Sequence, residues 1–457
     1  MVVITGDNVV MEKNLTTGSV WKNVIYFSLP YLLSYFLQSL YGMADLFITG
    51  QFNTTSSITA VSIGSQVMHM ITVMIVGLAM GATVNIGQAV GAGDHKKASL
   101  TIGNTITLFL SVSIVATIFL VALVKPIVSV ISTPAEAVDR TIQYLTICFV
   151  GIPFITAYNI ISSIFRGMGD SKSPMYFVAV ACVTNIALDY LFIGWFDFGP
   201  AGAALGTTIS QTISVIIAVI TILKRNSSIS LDKECFRPKR GIMKPILRVG
   251  IPVSLQDGFI QIAFILITVI ANRRGLDDAA AVGIVEKVIG FLFLVPSTML
   301  STVSALVAQN IGAGRHDRAR QTLRYAMTIC ICFGLVAAIS VQFVAEPIVA
   351  LFDDAPAVVL AGGQYLRGYI WDCVFAGIHF CFSGYFCAYG KSDISFLHNI
   401  LSILLVRIPG AYMMSKLFAN TLLPMGFAAA AGSLLSVFIC ILAFLYLRRR
   451  MPELKGE

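Results

Sequence analysis

Long apolar runs follow one another along the whole chain, with approximate cores at residues 24–50, 57–84, 98–124, 140–165, 174–196, 201–223, 246–272, 282–308, 320–344, 361–388, 394–418 and 424–447. An α-helix needs about 20 apolar residues to cross a bilayer, whereas a barrel strand needs only about 9–11. The runs match the helical requirement and show no period-two alternation. The pattern therefore predicts an all-α membrane protein with twelve transmembrane helices.

Composition agrees, with 57% hydrophobic and 12% charged residues in a chain of 457, against about 25% charged in ordinary soluble domains. Topology accounts for the net charge of +8. With the N-terminus inside, the cytoplasmic set takes Lys96, Lys97, Arg166, Lys172, Arg315, Arg318, Arg448, Arg449 and Arg450 with the basic connector 224–245. Outside fall Lys125, Arg140, Arg273, Arg274, Arg367 and Lys416, the asymmetry expected of a protein with both termini cytoplasmic. A multi-pass protein of the cell (cytoplasmic) membrane is expected, and no nucleic-acid partner is implied. The nine cysteines lack CxxC spacing and read as small hydrophobes. Residues 1–20 carry no signal-peptide core.

The chain repeats itself. SLPYLLS (28–34) corresponds to GIPVSLQ (250–256), GQAVGAGDHKKA (87–98) to AQNIGAGRHDRA (308–319), and, more loosely, SSIFRGMGDSKS (162–173) to SGYFCAYGKSDI (383–394). Six helices per copy is an even number, so the copies cross the membrane in the same sense. The expected parts are a tail (1–23), a six-helix bundle (24–223), a basic linker (224–245), a second six-helix bundle (246–447) and a tail (448–457). Substrate is expected in a central cavity between these pseudo-symmetric bundles. The GAGD and GAGR turns are not phosphate loops, because no strand precedes them and no Lys-Ser/Thr follows.

Within CVTNIALDYLFI (182–193), Asn185 and Asp189 are four residues apart and share one helix face. An acid at the bilayer centre costs about 2.5–3.5 kcal/mol even on the lenient insertion scale. The pair can hold a small cation or a proton, and a structural contact between helices is the alternative.

The QxxGAGx turn of both halves, FRGMGDSKSPM after the fourth span, the Pro30, Gln38, Asp45 spacing in the first, and NxxxD in the fifth resemble the multidrug and toxic compound extrusion (MATE) family, in its prokaryotic DinF-like branch. The likeness covers essentially the whole chain. It implies a secondary transporter, not an enzyme, that exchanges H⁺ or Na⁺ for bulky cationic or amphipathic drug-like compounds. It further implies a monomer acting in the lipid bilayer without a cofactor. The family's cation site falls on Asp45, Asn185, Asp189 and Thr207, whose oxygens suit Na⁺ and whose acids can instead share a proton. Gln38, Tyr41, Tyr144 and Asn159 match its cavity wall, although each can equally be a packing contact. Met43, Met68, Met70, Met74 and Met80 can line a drug site or simply pack. Pro30 is the expected hinge of the first helix.

At the repeat offset of 222, Arg407 stands where the first half has Asn185, and Ala411 where it has Asp189. The acid cluster is not duplicated. Asp257, Glu286, Lys287, Asp372 and Arg407 are expected to form a mutually neutralising buried network instead. Export of an endogenous metabolite is an alternative to drug export, and three other readings remain. A lipid-linked-oligosaccharide flippase needs a more basic cavity than Lys287 and Arg407 supply, and a major-facilitator transporter needs an Asp-Arg/Lys-x-Gly run absent here. An intramembrane enzyme lacks HExxH, GxSxG and GxGD.

Overall fold

The computed structural model describes residues 14–224 and 231–450. Residues 1–13, 225–230 and 451–457, which hold parts of the expected tails and linker, lie outside the described residues. What is described is helical, without strands. In chain order come α1 (Val20–Phe52), α2 (Thr55–Gly91), α3 (His95–Ala122), α4 (Val124–Val130), α5 (Val138–Val150), α6 (Ile152–Gly167), α7 (Lys172–Asp189) and α8 (Gly199–Lys224). There follow α9 (Arg240–Asn272), α10 (Leu276–Leu292), α11 (Leu294–Gly312), α12 (His316–Ala350), α13 (Pro356–Tyr369), α14 (Trp371–Ala388), α15 (Ser392–Ser402), α16 (Ile408–Leu417) and α17 (Leu423–Arg450).

Among the described residues ten helices are long and apolar enough to cross a membrane, and the pair over α5 and α6, bent by 48°, makes an eleventh. α1 completes the twelve; its 33 residues extend about 50 Å at 1.5 Å each, and its Ser, Tyr, Gln and Asp residues dilute its apolarity. The outward faces are apolar, as lipid contact requires: Val115, Ile118, Phe119, Val336 and Phe343 are all exposed. The bend between α5 and α6 falls at Gly151, where an added Cβ would meet the Thr208 side chain at 2.6 Å, and Pro153 follows.

The duplicated turns are duplicated in conformation. Gly93 and Gly314 take φ of 69° and 70°, and Gly169 and Gly390 take 89° and 68°, left-handed values that favour glycine. After the first of these, Asp94 caps α3 by accepting from the Lys97 N–H at 2.9 Å.

The helices form two compact units, one built on residues 29–247 and the other on residues 16–28 with residues 248–450. Each boundary falls inside a long helix a few residues before its proline, Pro30 in α1 and Pro252 in α9. The leading end of α1 packs with the second unit, where Arg318 donates to the Gly18 carbonyl at 2.8 Å and Trp21 meets Tyr325 edge-on at 5.4 Å. The leading end of α9 packs with the first. There the Asn104 amide donates to the Cys235 carbonyl at 3.0 Å and accepts from the Lys239 N–H at 2.7 Å, so the later part of the connector is anchored against α3.

Candidate functional site

In the first unit the acids sit deep in the helix packing. Asp45, about two turns before the end of α1, is 3% exposed, and Asn185 and Asp189, on the last turns of α7, are 1% and 0% exposed. Thr207 of α8 donates to Asp45 Oδ2 at 3.1 Å. The Asn185 amide and the Asp189 carboxylate also stand beside Asp45. Even so, both Asn185 amide atoms, both Asp189 oxygens and Asp45 Oδ1 lack a hydrogen-bond partner among the described residues.

Local structure makes this possible. α7 ends at Asp189 and the chain continues as a π-turn over Tyr190–Trp195, the kind of helix defect often found at functional sites. α8 begins GPAGAALG, a face of small residues that lets it approach closely. A Cβ on Gly206 would collide with Asp189 Oδ1, and one on Gly202 would meet the Phe192 backbone at 3.1 Å. Ile48, Val61, Met68, Ile152, Ile193, Ala203 and Ala204 belong to one apolar core cluster, against which Ala44 and Ile186, the sequence neighbours of Asp45 and Asn185, also pack.

Two carboxylates face to face, without a basic side chain paired to either among the described residues, need a positive charge from elsewhere. A proton shared between them supplies it, and so does a metal cation. The donors are carboxylate, amide and hydroxyl oxygens, which suit a hard ion. Among the described residues no group of three or more His, Cys, Asp or Glu could hold a metal, so the amide and hydroxyl are integral to any cation site here.

The expected cavity residues divide. Tyr41 is half-buried, and its hydroxyl accepts from Gln211 Nε2 at 3.2 Å, while Gln38 stands within hydrogen-bonding reach of the Tyr158 hydroxyl. Tyr144 and Asn159 belong to the core, at 2% and 4% exposure. The Tyr144 ring packs where a Cβ on Gly64 would lie. The Asn159 amide is spent on the Ile155 carbonyl of its own helix at 2.8 Å. The methionines share no single surface either, since Met43 is exposed, Met68 and Met80 are buried, and Met70 and Met74 are intermediate.

In the second unit the expected network contracts. Arg407 ends a π-turn over Ile403–Arg407, and its Nη2 reaches Asp372 Oδ2 at 3.2 Å and the Tyr369 hydroxyl. The guanidinium also lies 5.3 Å from the Phe264 ring centroid. Glu286 is close enough to feel Arg407, and the Thr268 hydroxyl stands 3.1 Å from its Oε2. Lys287 does not belong to this network. It is exposed and makes no ion pair among the described residues, because neighbouring positions on a helix point about 100° apart and only one of them turns inward. Asp257 is half-buried without an ion pair among the described residues, and it lies near Cys387.

The MatE family model matches residues 30–191 and 252–413, two stretches that start on Pro30 and Pro252 and reproduce the offset of 222. The chain is a member of the MatE family. Members of this family are transporters, and this one is a multi-pass membrane transporter, not an enzyme. It is 29% identical over 439 residues to the probable multidrug resistance protein YpnP of Bacillus subtilis, covering 95% of this chain and 96% of that one. It is 24% identical over 402 residues to the multidrug export protein MepA of Staphylococcus aureus strain N315, covering 88% and 89%. A crystal structure described as MATE in complex with MaL6 shares its fold with a TM-score of 0.89 at 23% identity, covering 99% of this chain and all of the other.

Within this MatE chain, three features of the site were missed from sequence. Gln211 reads as one more polar residue in an apolar helix, although its spacing of four from Thr207 places both on one face of α8. Gly206 lies in a glycine and alanine run that signals close packing without naming its partner. The π-turn has no sequence signature.

Proposed function

We propose that the chain is a multidrug efflux transporter that exports bulky cationic or amphipathic compounds in exchange for H⁺ or Na⁺ by alternating access. It works from the cell membrane with both termini cytoplasmic. The observation that carries this reading is the orphaned cluster of Asp45, Asn185 and Asp189 with Thr207. Two buried acids that must acquire a positive charge can take it from an ion or from a cationic cargo, and competition between the two is the basis of exchange. When H⁺ or Na⁺ occupies the cluster, its hold on a cationic compound weakens and the compound leaves. The names of the relatives above, as multidrug resistance and export proteins, support the cargo class.

Gln38 and Tyr41, on the same face of α1 as Asp45, are the side chains through which cargo would sense the ion. Pro30 removes one backbone hydrogen bond from α1 and is the natural place for that helix to change shape when Asp45 changes charge. The flippase alternative loses support, since Arg407 is paired with Asp372 and Lys287 faces outward. The deciding experiment is efflux of a fluorescent organic cation from proteoliposomes under separately imposed proton and sodium gradients. Efflux driven by either gradient supports the reading, and efflux indifferent to both removes it.

A further inference from the structure

The second unit contains a charge imbalance that the proposed exchange at Asp45 and Asp189 does not use. Asp372 of α14 is fully buried and Glu286 of α10 is half-buried, and between them there is one base, Arg407. Three atoms of this group have no hydrogen-bond partner among the described residues: Asp372 Oδ1, Arg407 Nε and Glu286 Oε1. The guanidinium has thus spent Nη2 on Asp372 and Tyr369 and keeps a free N–H donor, while the second acid keeps a free acceptor. With both acids ionised the trio carries one net negative charge inside the membrane.

The groups around Glu286 supply no second positive charge. From α13 it faces the Tyr365 and Tyr369 hydroxyls, and from α9 the neutral Thr268. α11 bears no titratable side chain, and Glu346 of α12 is taken by Arg367 at 2.9 Å. Lys287, next in sequence, is exposed. Behind Asp372 the polar chain passes through Ser433 to His379. A metal cation is a poor answer to the imbalance, since it would sit against the positive guanidinium. A proton on Glu286 removes the excess negative charge and leaves Asp372 and Arg407 as a neutral pair.

We propose that Glu286 is a second proton-binding residue of this transporter, and that Arg407 changes partner between Asp372 and Glu286 as that proton arrives and leaves. When Glu286 is protonated, Arg407 pairs with Asp372, as observed here. When the proton departs to water, Glu286 is a carboxylate and Arg407, always charged, is drawn toward it through its free Nε. The transporter would then move one proton more per cycle than the first-unit cluster alone provides. This deepens the ion-coupled reading above and rests on it.

The test uses the full chain in detergent, as wild type, Asp45→Asn, Glu286→Gln and Glu286→Asp. Infrared difference spectra across an upward pH step count the protonated carboxyl bands that disappear. Wild type should lose one band that Asp45→Asn still loses, that Glu286→Gln lacks and that is displaced in Glu286→Asp. In proteoliposomes under a proton gradient, Glu286→Gln should move one proton fewer per substrate exported than wild type does. Identical band losses in wild type and Glu286→Gln would mean that Glu286 does not release a proton over the step and would overturn the proposal, as would an unchanged proton count. If Glu286→Gln does not fold, Glu286→Asp decides, and an undisplaced band overturns the proposal. If instead Asp45→Asn loses every band that wild type loses, the first-unit reading fails and the Glu286 result stands separately.

Discussion

In the first unit two acids face each other with an amide and a hydroxyl beside them, and among the described residues no base is paired to either. In the second, two acids share one arginine. Both groups stand next to a π-turn in the fifth crossing helix of their repeat, Tyr190–Trp195 after Asp189 and Ile403–Arg407 ending in Arg407. The shared scaffold and the different charge count show what duplication left free to diverge. The backbone defect is present in both copies, while the buried acids of the first lie beside an amide and a hydroxyl and one acid of the second is held by a guanidinium.

The largest effect expected from breaking this contrast is at the exchangeable site. Asp45→Asn and Asp189→Asn, which keep volume but cannot ionise, should each reduce gradient-driven efflux by 100-fold or more on the order expected for loss of an essential charge, with normal melting in detergent. Retained efflux by both variants would remove the site. Next comes Arg407→Met, which strands Asp372 and should cost about 3–5 kcal/mol. Adding Asp372→Asn should recover much of that loss, because partners in one ion pair are not additive. Thermal melting of the two single variants and the double variant measures the coupling.

A smaller effect is expected at Gly206→Ala, where the methyl must push against Asp189. Overpacking of this kind costs about 1–3 kcal/mol, and efflux should fall further than the melting temperature alone explains. Smallest is Thr207→Ala, which removes one neutral donor worth about 0.5–1.5 kcal/mol. It should raise the ion concentration needed for half-maximal efflux by only a few fold. A Thr207→Ala variant as inactive as Asp189→Asn would erase the distinction between ligand and charge carrier.

Much of this was legible in the sequence, for identifiable reasons. Crossing helices declare themselves by length and apolarity, and a spacing of four puts Asn185 and Asp189 on one helix face whatever surrounds them. Asp45 and Thr207 are distant in the chain, and only the family resemblance joined them to that pair in advance. Hydropathy could not orient Lys287, since a charged residue in an apolar run reads as buried until the helix is rotated into place. Tyr144 and Asn159 were expected at a cavity and lie in the core, because a polar atom inside a membrane helix looks the same from sequence whether it meets cargo or its own backbone.

The division of α1 and α9 between the units, just before Pro30 and Pro252, makes neither copy of the repeat self-contained. The leading turns of α1 are grouped with the second copy and those of α9 with the first, a reciprocal exchange of arms like that of a domain-swapped pair, here carried within one polypeptide.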